Sequence, residues 1–193
     1  MQNEDDLPRD LPAQIYKSTG HELILPVNAL RSTLAMLARV GTRESSVFWY
    51  GHRGEVSSKV AGVFSPRQHM TRGNYHVGPD AMSEMVALVP DGWRPLAQIH
   101  SHPGTMVEHS RYDDRMVSSR RALSIVFPNY GRFTKPWPIG VGIHEFHGGY
   151  WHLLDCAEAG KAPSTRARTS IADPSGTRAS PGRIEPSSTR VAV

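Results

Sequence analysis

Hydrophobic spacing and residues typical of helix starts predict three helices. Apolar side chains recur at intervals of three and four between residues 27 and 40, which is typical of the buried face of an α-helix, and Gly41 follows as a helix stop. A second helix is predicted over residues 79–88, where Pro79 suits the first turn. A third helix begins at Ser110, with acidic residues in its first turn.

Short runs of β-branched and aromatic residues predict the strands. These runs end at glycine, proline or polar residues, which favour turns. The predicted strands cover residues 21–25, 46–50, 56–64, 96–100, 123–128, 139–146 and 150–154. The last two flank His147-Gly148-Gly149 and are predicted to form a β-hairpin. Because helices and strands neither alternate strictly nor give an all-strand pattern, we predict a mixed α/β fold of the α+β kind.

Composition divides the chain into three parts. Residues 1–20 are polar and contain proline, so we expect a loosely ordered lead-in. Residues 21–156 carry the predicted helices and strands and form the predicted domain. In residues 157–193 serine, threonine, proline and arginine dominate and aromatic residues are absent. Such a segment buries too little apolar surface to offset chain entropy, so we expect a disordered, slightly basic tail.

Charge and composition exclude several classes of function. The chain has 193 residues, a net charge of +4 and a pI of about 9.5, but its central region has no basic cluster, so we expect no nucleic-acid partner. No apolar run approaches the roughly 20 residues of a membrane helix, and the polar start is unlike a signal peptide. Cys156 is the single cysteine, which excludes a disulfide framework within the chain and favours a reducing, cytoplasmic location.

The segment from His100 to Asp113 carries the candidate chemistry. His100 and His102 lie two positions apart at the end of a predicted strand, so both side chains can point to the same side. Asp113 opens the next helix and can return a carboxylate to the same point. Two histidines and one carboxylate leave the fourth position of a tetrahedral zinc ion open, which is the pattern of a catalytic site. The sequence therefore predicts a zinc site at these residues.

Hydrolysis at such a site also needs a base and a group that stabilises an oxyanion. Ser110 lies one helical turn before Asp113, so its hydroxyl could donate to the oxyanion. For the base we choose Glu44, which lies between the first helix and the next strand, where a carboxylate could point into a cleft. Glu22 and Glu55 are the competing choices for the base.

This pattern resembles the JAMM metalloproteases, also called the MPN+ or JAB domain family, and in particular their bacterial members. The family motif is an upstream glutamate, then His-Ser/Thr-His-Pro, seven further positions and Ser-x-x-Asp. Here residues 103–109 fill the interval between His102 and Ser110, so the spacing matches without adjustment. The resemblance covers about residues 22–155 and implies a cytidine-deaminase-like fold with a mixed curved sheet flanked by helices.

The resemblance also implies a role for each residue of the motif. The metal ligands would be His100, His102 and Asp113, while Glu44 would activate water and Ser110 would assist the oxyanion. Many relatives have a glycine three positions after the glutamate, where this chain has a valine.

The activity implied by the resemblance is that of a zinc peptidase or isopeptidase similar to deubiquitinases. It would cleave after the C-terminal glycine of a ubiquitin-like protein, in deconjugation or in precursor processing. The implied partners are that protein's C-terminal tail and the activating or conjugating enzymes of the same system. Two alternatives stay open, namely a hydrolase that processes a sulfur-carrier protein or its amino-acyl adduct, and a non-catalytic MPN scaffold.

Other residues have weaker signals. Residues 144–147 superficially resemble a zinc-binding helix motif but lack its histidine spacing, so we expect no second metal site there. Asp114 is expected to be a neighbour that matches the helix dipole, and the sequence leaves the role of His109 open. Trp49 and Trp151 are expected to be core or rim residues rather than specific binders.

Overall fold

Helices and strands follow one another in the mixed order that the sequence predicts. The computed structural model describes Tyr16, residues 20–154 and residues 188–192. The strands are β1 Glu22–Pro26, β2 Ser46–Arg53, β3 Ser57–Phe64, β4 His69–Met70, β5 Tyr75–His76, β6 Arg94–Ser101, β7 Leu123–Phe127, β8 Gly142–His147, β9 Tyr150–Leu153 and β10 Ser188–Ala192. The helices are α1 Val27–Arg39, α2 Pro79–Val86 and α3 Arg111–Met116, and a short 3-10 turn covers Asn129–Gly131.

Eight strands form one mixed sheet in the order β10-β1-β3-β2-β6-β7-β8-β9. The pairs β1–β3 and β6–β7 are parallel, and the other neighbours are antiparallel. β4 and β5 form a separate hairpin. β6 therefore lies near the centre of the sheet, between β2 and β7, and its last residues lie at one end of the sheet. The protein has the mixed α+β architecture that the sequence predicts.

The two faces of β2 pack into different clusters. Val47 and Trp49 belong to the main hydrophobic core, against which α1 packs. Phe48 and Tyr50 lie in a second cluster with Met85 of α2. Successive side chains of a strand point to opposite faces, so this alternation covers both sides of the sheet centre. Strands buried on both faces read as continuous apolar runs, as the sequence of β2 does.

A buried hydrogen bond joins α1 to the sheet. The indole Nε1 of Trp49 donates to the hydroxyl of Thr33 at 2.7 Å, and both residues are fully buried. A buried donor left without a partner costs about 1–3 kcal/mol. This hydrogen bond therefore favours the observed position of α1 on β2. Trp49 is a core residue, as expected, and Trp151 is buried as well.

The predicted helices over 27–40 and 79–88 are confirmed with shorter C-terminal ends. β8 begins at Gly142 instead of residue 139, because the preceding residues form turns in which the Ile139 amide donates to the Pro136 carbonyl at 2.9 Å. The β4–β5 hairpin was not predicted, since strands of two residues show no alternation. None of the described helices is long and apolar enough to cross a membrane.

The expectation of a disordered tail is wrong for Ser188–Ala192. These residues form β10, which pairs antiparallel with β1, so that Leu23 lies opposite Val191. β3 pairs with one edge of β1 and β10 pairs with the other, so that β10 covers what would otherwise be the open edge of the sheet at β1. Amino-acid composition does not reveal this pairing, because its hydrogen bonds join backbone groups, which every residue type carries. Residues 157–187 and Val193 lie outside the described residues.

Candidate metal centre

The end of β6 presents two histidines to the same point. His100 pairs with Ser46 of β2 on one side and with Val126 of β7 on the other, and its side chain is fully buried. His102 follows two residues later, so both rings project from one side of the chain. Their Nε2 atoms lie 3.1 Å apart. The predicted convergence of the two imidazoles is confirmed.

Asp113 reaches the same point from the first turn of α3. Its Oδ1 lies 3.3 Å from His100 Nε2, and its Oδ2 lies 3.4 Å from His102 Nε2. The amide and the hydroxyl of Ser110 both donate to Asp113 Oδ2 at 2.8 Å, and the Asp113 amide donates to Ser110 Oγ at 3.2 Å. This capping box begins the helix and fixes the orientation of the carboxylate.

The three side chains fit a metal ion. Their ligand atoms lie within 4.8 Å of one another, in a group formed by His100, His102 and Asp113. Ligands about 2.0–2.1 Å from a tetrahedral zinc are about 3.4 Å apart, close to the separations of 3.1–3.4 Å in this site. The group is buried and could hold a metal ion.

The backbone fixes the tautomer of His102. Its Nδ1 lies 3.1 Å from the carbonyl oxygen of Met106, which can only accept, so Nδ1 carries the proton. In the neutral ring Nε2 is then the lone-pair nitrogen, and it lies next to His100 and Asp113. Such a bond to a carbonyl is the usual second contact of a metal-binding histidine.

Burial and charge set the protonation of the three groups. Burial lowers the pKa of His100 below its ordinary value. Burial acts on His102 in the same direction, but the hydrogen bond and charge of Asp113, together with the charge of Glu44, raise its pKa. Burial alone would raise the pKa of Asp113, yet the two histidines hold it well below its usual range. A neutral His100 and an ionised Asp113 are the states that a metal requires.

The structure places Glu44 beside this centre. Glu44 is 6% exposed and lies two residues before Ser46, which pairs with His100. The Ser101 amide donates to the Ser45 carbonyl at 3.2 Å, so the pairing continues toward the segment of Glu44 and His102. The charge of Glu44 contributes to the raised pKa of His102. A buried carboxylate therefore lies near His102, and its role as the base stays a prediction.

The competing glutamates lie at the other end of the sheet. Glu22 pairs with Ser57, and Glu55 is exposed in the turn between β2 and β3. That turn follows Arg53, seven residues along β2 from Ser46, whose partner is His100. Neither glutamate shares the end of the sheet at which the histidines converge.

Ser110 has a structural role in addition to the predicted catalytic one. Its hydroxyl donates to Asp113 and accepts from the Asp113 amide, so the expected N-cap is confirmed. Donation to an oxyanion would require the hydroxyl to turn away from the carboxylate.

A buried network that the sequence did not reveal lies behind His100. His109 Nδ1 lies 2.9 Å from Asp114 Oδ1, and its Nε2 lies 2.7 Å from the Ser124 hydroxyl. Its ring stacks on His144 at 3.8 Å between centroids. Asp114 is thus a partner of His109 and more than a dipole-matching neighbour. The signal in the sequence was a histidine followed five residues later by an aspartate, which is too common to identify such a pair.

A second set of polar contacts lies near His100. The ring of Tyr75 lies 5.4 Å from the ring of His100, and its hydroxyl accepts a hydrogen bond from Gln98 at 3.0 Å. Gln98 also donates to the Met116 carbonyl and accepts from the Ser118 amide, which joins β6 to the end of α3. Burial raises the pKa of Tyr75 far above its ordinary value, so this hydroxyl stays protonated.

Two further candidates of the sequence lie away from this group. His144 is buried under His109, and His147 is exposed in the β8–β9 hairpin. Among the described residues, neither belongs to the group of possible metal ligands formed by His100, His102 and Asp113. Cys156 lies outside the described residues.

Comparison with known proteins supports the fold and leaves the activity open. No protein-family model and no curated protein matches the sequence. The chain is similar to the solution structure of protein DSY2949 from Desulfitobacterium hafniense, with a TM-score of 0.54, 16% identity, and coverage of 68% of this chain and 88% of that chain. A solution structure of a protein from Salinibacter ruber matches with a TM-score of 0.46, 13% identity, and coverage of 67% and 86%. The first of these likenesses shows that the mixed α+β fold exists in another protein.

Proposed function

We propose that the protein is a zinc-dependent peptidase or isopeptidase of the JAMM type with the JAB fold, which cleaves after the C-terminal glycine of a ubiquitin-like protein. The observation that carries the proposal is the convergence of His100, His102 and Asp113, with the buried Glu44 near His102. The residues that meet are those that the motif spacing selects. The single cysteine of the sequence supports a cytoplasmic location for this activity.

The donor set supports zinc as the metal. Two imidazole nitrogens and one carboxylate oxygen match the ligands of catalytic zinc sites, which keep one position open. When bound, zinc supplies Lewis acidity, which polarises a carbonyl and makes water a competent nucleophile near neutral pH.

The chain's own residues supply the proton transfers and the alignment. The Glu44 carboxylate takes a proton from the attacking water and delivers it to the nitrogen of the leaving amine. Its burial keeps bulk water from competing for this proton. The Ser110 hydroxyl donates to the oxyanion that forms at the scissile carbonyl, while its amide keeps Asp113 in place.

The surroundings of the centre suit an extended peptide. His102 is the more exposed of the two histidines, and the side chain of Met106 beside it is largely open to solvent. A glycine-rich tail can approach such a centre closely because it has no side chains to displace. In this proposal the partner is the C-terminal tail of a ubiquitin-like protein.

A cleavage assay tests the proposal. The full chain is incubated with ubiquitin-like proteins that carry a C-terminal extension, with and without a chelator, and products are identified by mass spectrometry. We expect a cut after the terminal glycine, its loss with chelator and its return with added zinc. No cut in any fusion, together with less than about 0.1 zinc per purified chain, would overturn the proposal. Cleavage restricted to sulfur-carrier adducts would instead support the alternative hydrolase.

A further inference from the structure

The turn after β7 holds the backbone of His102 on both sides. The His102 amide donates to the Phe127 carbonyl at 2.9 Å, and the Tyr130 amide donates to the His102 carbonyl at 2.7 Å. The Asn129 amide donates to the Gly104 carbonyl at 2.8 Å. The position of this metal-ligand candidate is therefore set by a second segment, distant in sequence.

This turn has an unusual backbone. Asn129 has φ 52°, Tyr130 has φ 55° and ψ 34°, and Gly131 has φ 75°, so three successive residues are left-handed. Asparagine and glycine tolerate this region, whereas a bulky residue such as tyrosine rarely enters it. A Cβ on Gly131 would lie 2.5 Å from Cβ of Leu37, so the turn packs tightly on α1. Such conformations persist where the surrounding structure imposes them, and they cluster at functional sites.

The side chain of Tyr130 reaches across to the segment that carries Glu44. Its hydroxyl donates to the Arg72 carbonyl at 2.9 Å, in the turn between β4 and β5. The adjacent Thr71 carbonyl accepts the Glu44 amide at 2.8 Å, and the Thr71 amide donates to the Asn74 carbonyl at 2.8 Å, which closes the turn. The Tyr130 hydroxyl and the Glu44 amide thus bind successive carbonyls of one turn.

We propose that Tyr130 is a positioning residue that sets the separation between Glu44 and the His102 loop. Its backbone holds His102, and its rigid ring, which has only two side-chain torsions, holds the turn on which Glu44 rests. The left-handed backbone at Tyr130 is the conformation in which one residue makes both contacts. This inference rests on the proposed function, in which Glu44 acts on a substrate held at the metal ligands.

Hydrogen exchange in the full-length, zinc-loaded protein tests whether Tyr130 positions the turn that binds the Glu44 amide. Tyr130→Phe keeps the ring and removes the hydroxyl. We expect the Glu44 amide to exchange at least about fivefold faster, measured by NMR, because its acceptor turn loses an anchor. Amides of α1 should keep their rates. Tyr150→Phe removes a hydroxyl from the β8–β9 hairpin and should leave the Glu44 amide unchanged. An unchanged Glu44 rate in Tyr130→Phe would overturn the proposal.

Kinetics separates positioning from general stability. On a fusion that the wild type cleaves, Tyr130→Phe should lower kcat about tenfold with KM and zinc content retained, since only the placement of the base changes. In a Glu44→Gln background, Tyr130→Phe should cause no further decrease in kcat. A further loss in that background would show that Tyr130 acts independently of Glu44, against the proposal. If the wild type cleaves no fusion, the proposed function fails. The exchange measurement still decides whether Tyr130 positions the turn that binds the Glu44 amide.

Discussion

Two segments meet at the candidate metal centre, and they are built in different ways. The ligand segment, residues 100–113, brings its three side chains together by local rules, namely the alternation of a strand and the cap of a helix. Glu44 lies 56 positions before His100 and arrives through the pairing of β2 with β6. The metal site can therefore be perturbed separately from the candidate base, and the following predictions use this difference.

Loss of a ligand should have the largest effect. His102→Gln removes the lone-pair nitrogen that faces Asp113 while keeping a side chain of similar size. We expect zinc content to fall from near one to less than about 0.1 per chain, with loss of all turnover. Plasma emission spectrometry after dialysis measures this. His52→Gln, at the exposed far end of β2, is the matched control and should retain zinc. Full zinc content in His102→Gln would show that the ligand set is wrong.

Removal of the charge of Glu44 should lower activity without affecting metal binding. Glu44→Gln is expected to retain zinc and to lower kcat about 10²–10⁴-fold, because the carboxylate no longer accepts a proton. Steady-state cleavage assays and metal analysis on the same sample measure both effects. Glu22→Gln and Glu55→Gln are matched controls at the other end of the sheet and should keep wild-type activity. If either control loses activity and Glu44→Gln does not, the base has been wrongly assigned.

A change at Ser110 should affect both stability and catalysis, because the residue caps α3 and is the candidate oxyanion donor. Ser110→Ala removes both the cap of α3 and the candidate oxyanion donor. We expect a loss of about 1 kcal/mol in the free energy of unfolding and of about 10²-fold in kcat. Denaturant unfolding and steady-state kinetics measure the two quantities. Ser110→Thr keeps a hydroxyl and should restore most of both. A loss of stability without any loss of kcat would assign Ser110 to capping alone.

The smallest effect on the site should come from β10, which pairs with β1 at the far edge of the sheet. Deletion of residues 188–193 exposes the edge of β1 and should lower the free energy of unfolding by about 1–3 kcal/mol. Zinc content and kcat at room temperature should remain unchanged. Val191→Pro keeps the chain length, disfavours the pairing and should act in the same direction. Loss of zinc in both variants would mean that the far edge of the sheet controls the site.

The sequence predicted the main helices, most strands and the group of possible metal ligands because each depends on short-range patterns. α1 follows from its apolar spacing, and Asp113 follows from its position one turn after Ser110. Features that depend on contacts between distant segments escaped prediction. The His109–Asp114 pair and the pairing of β10 with β1 belong to this group, since neither leaves a periodic signal.

The sequence by itself determined which residues could bind a metal. Two histidines two positions apart and an aspartate that opens a helix specify nearly the same local geometry wherever that helix packs beside the strand. The tertiary structure decided which of three glutamates lies near them, because strand register, and not residue type, brings Glu44 to the end of β6 and leaves Glu22 and Glu55 at the other end of the sheet. It also placed Tyr130 between the two segments, through a turn whose left-handed backbone no local pattern predicts.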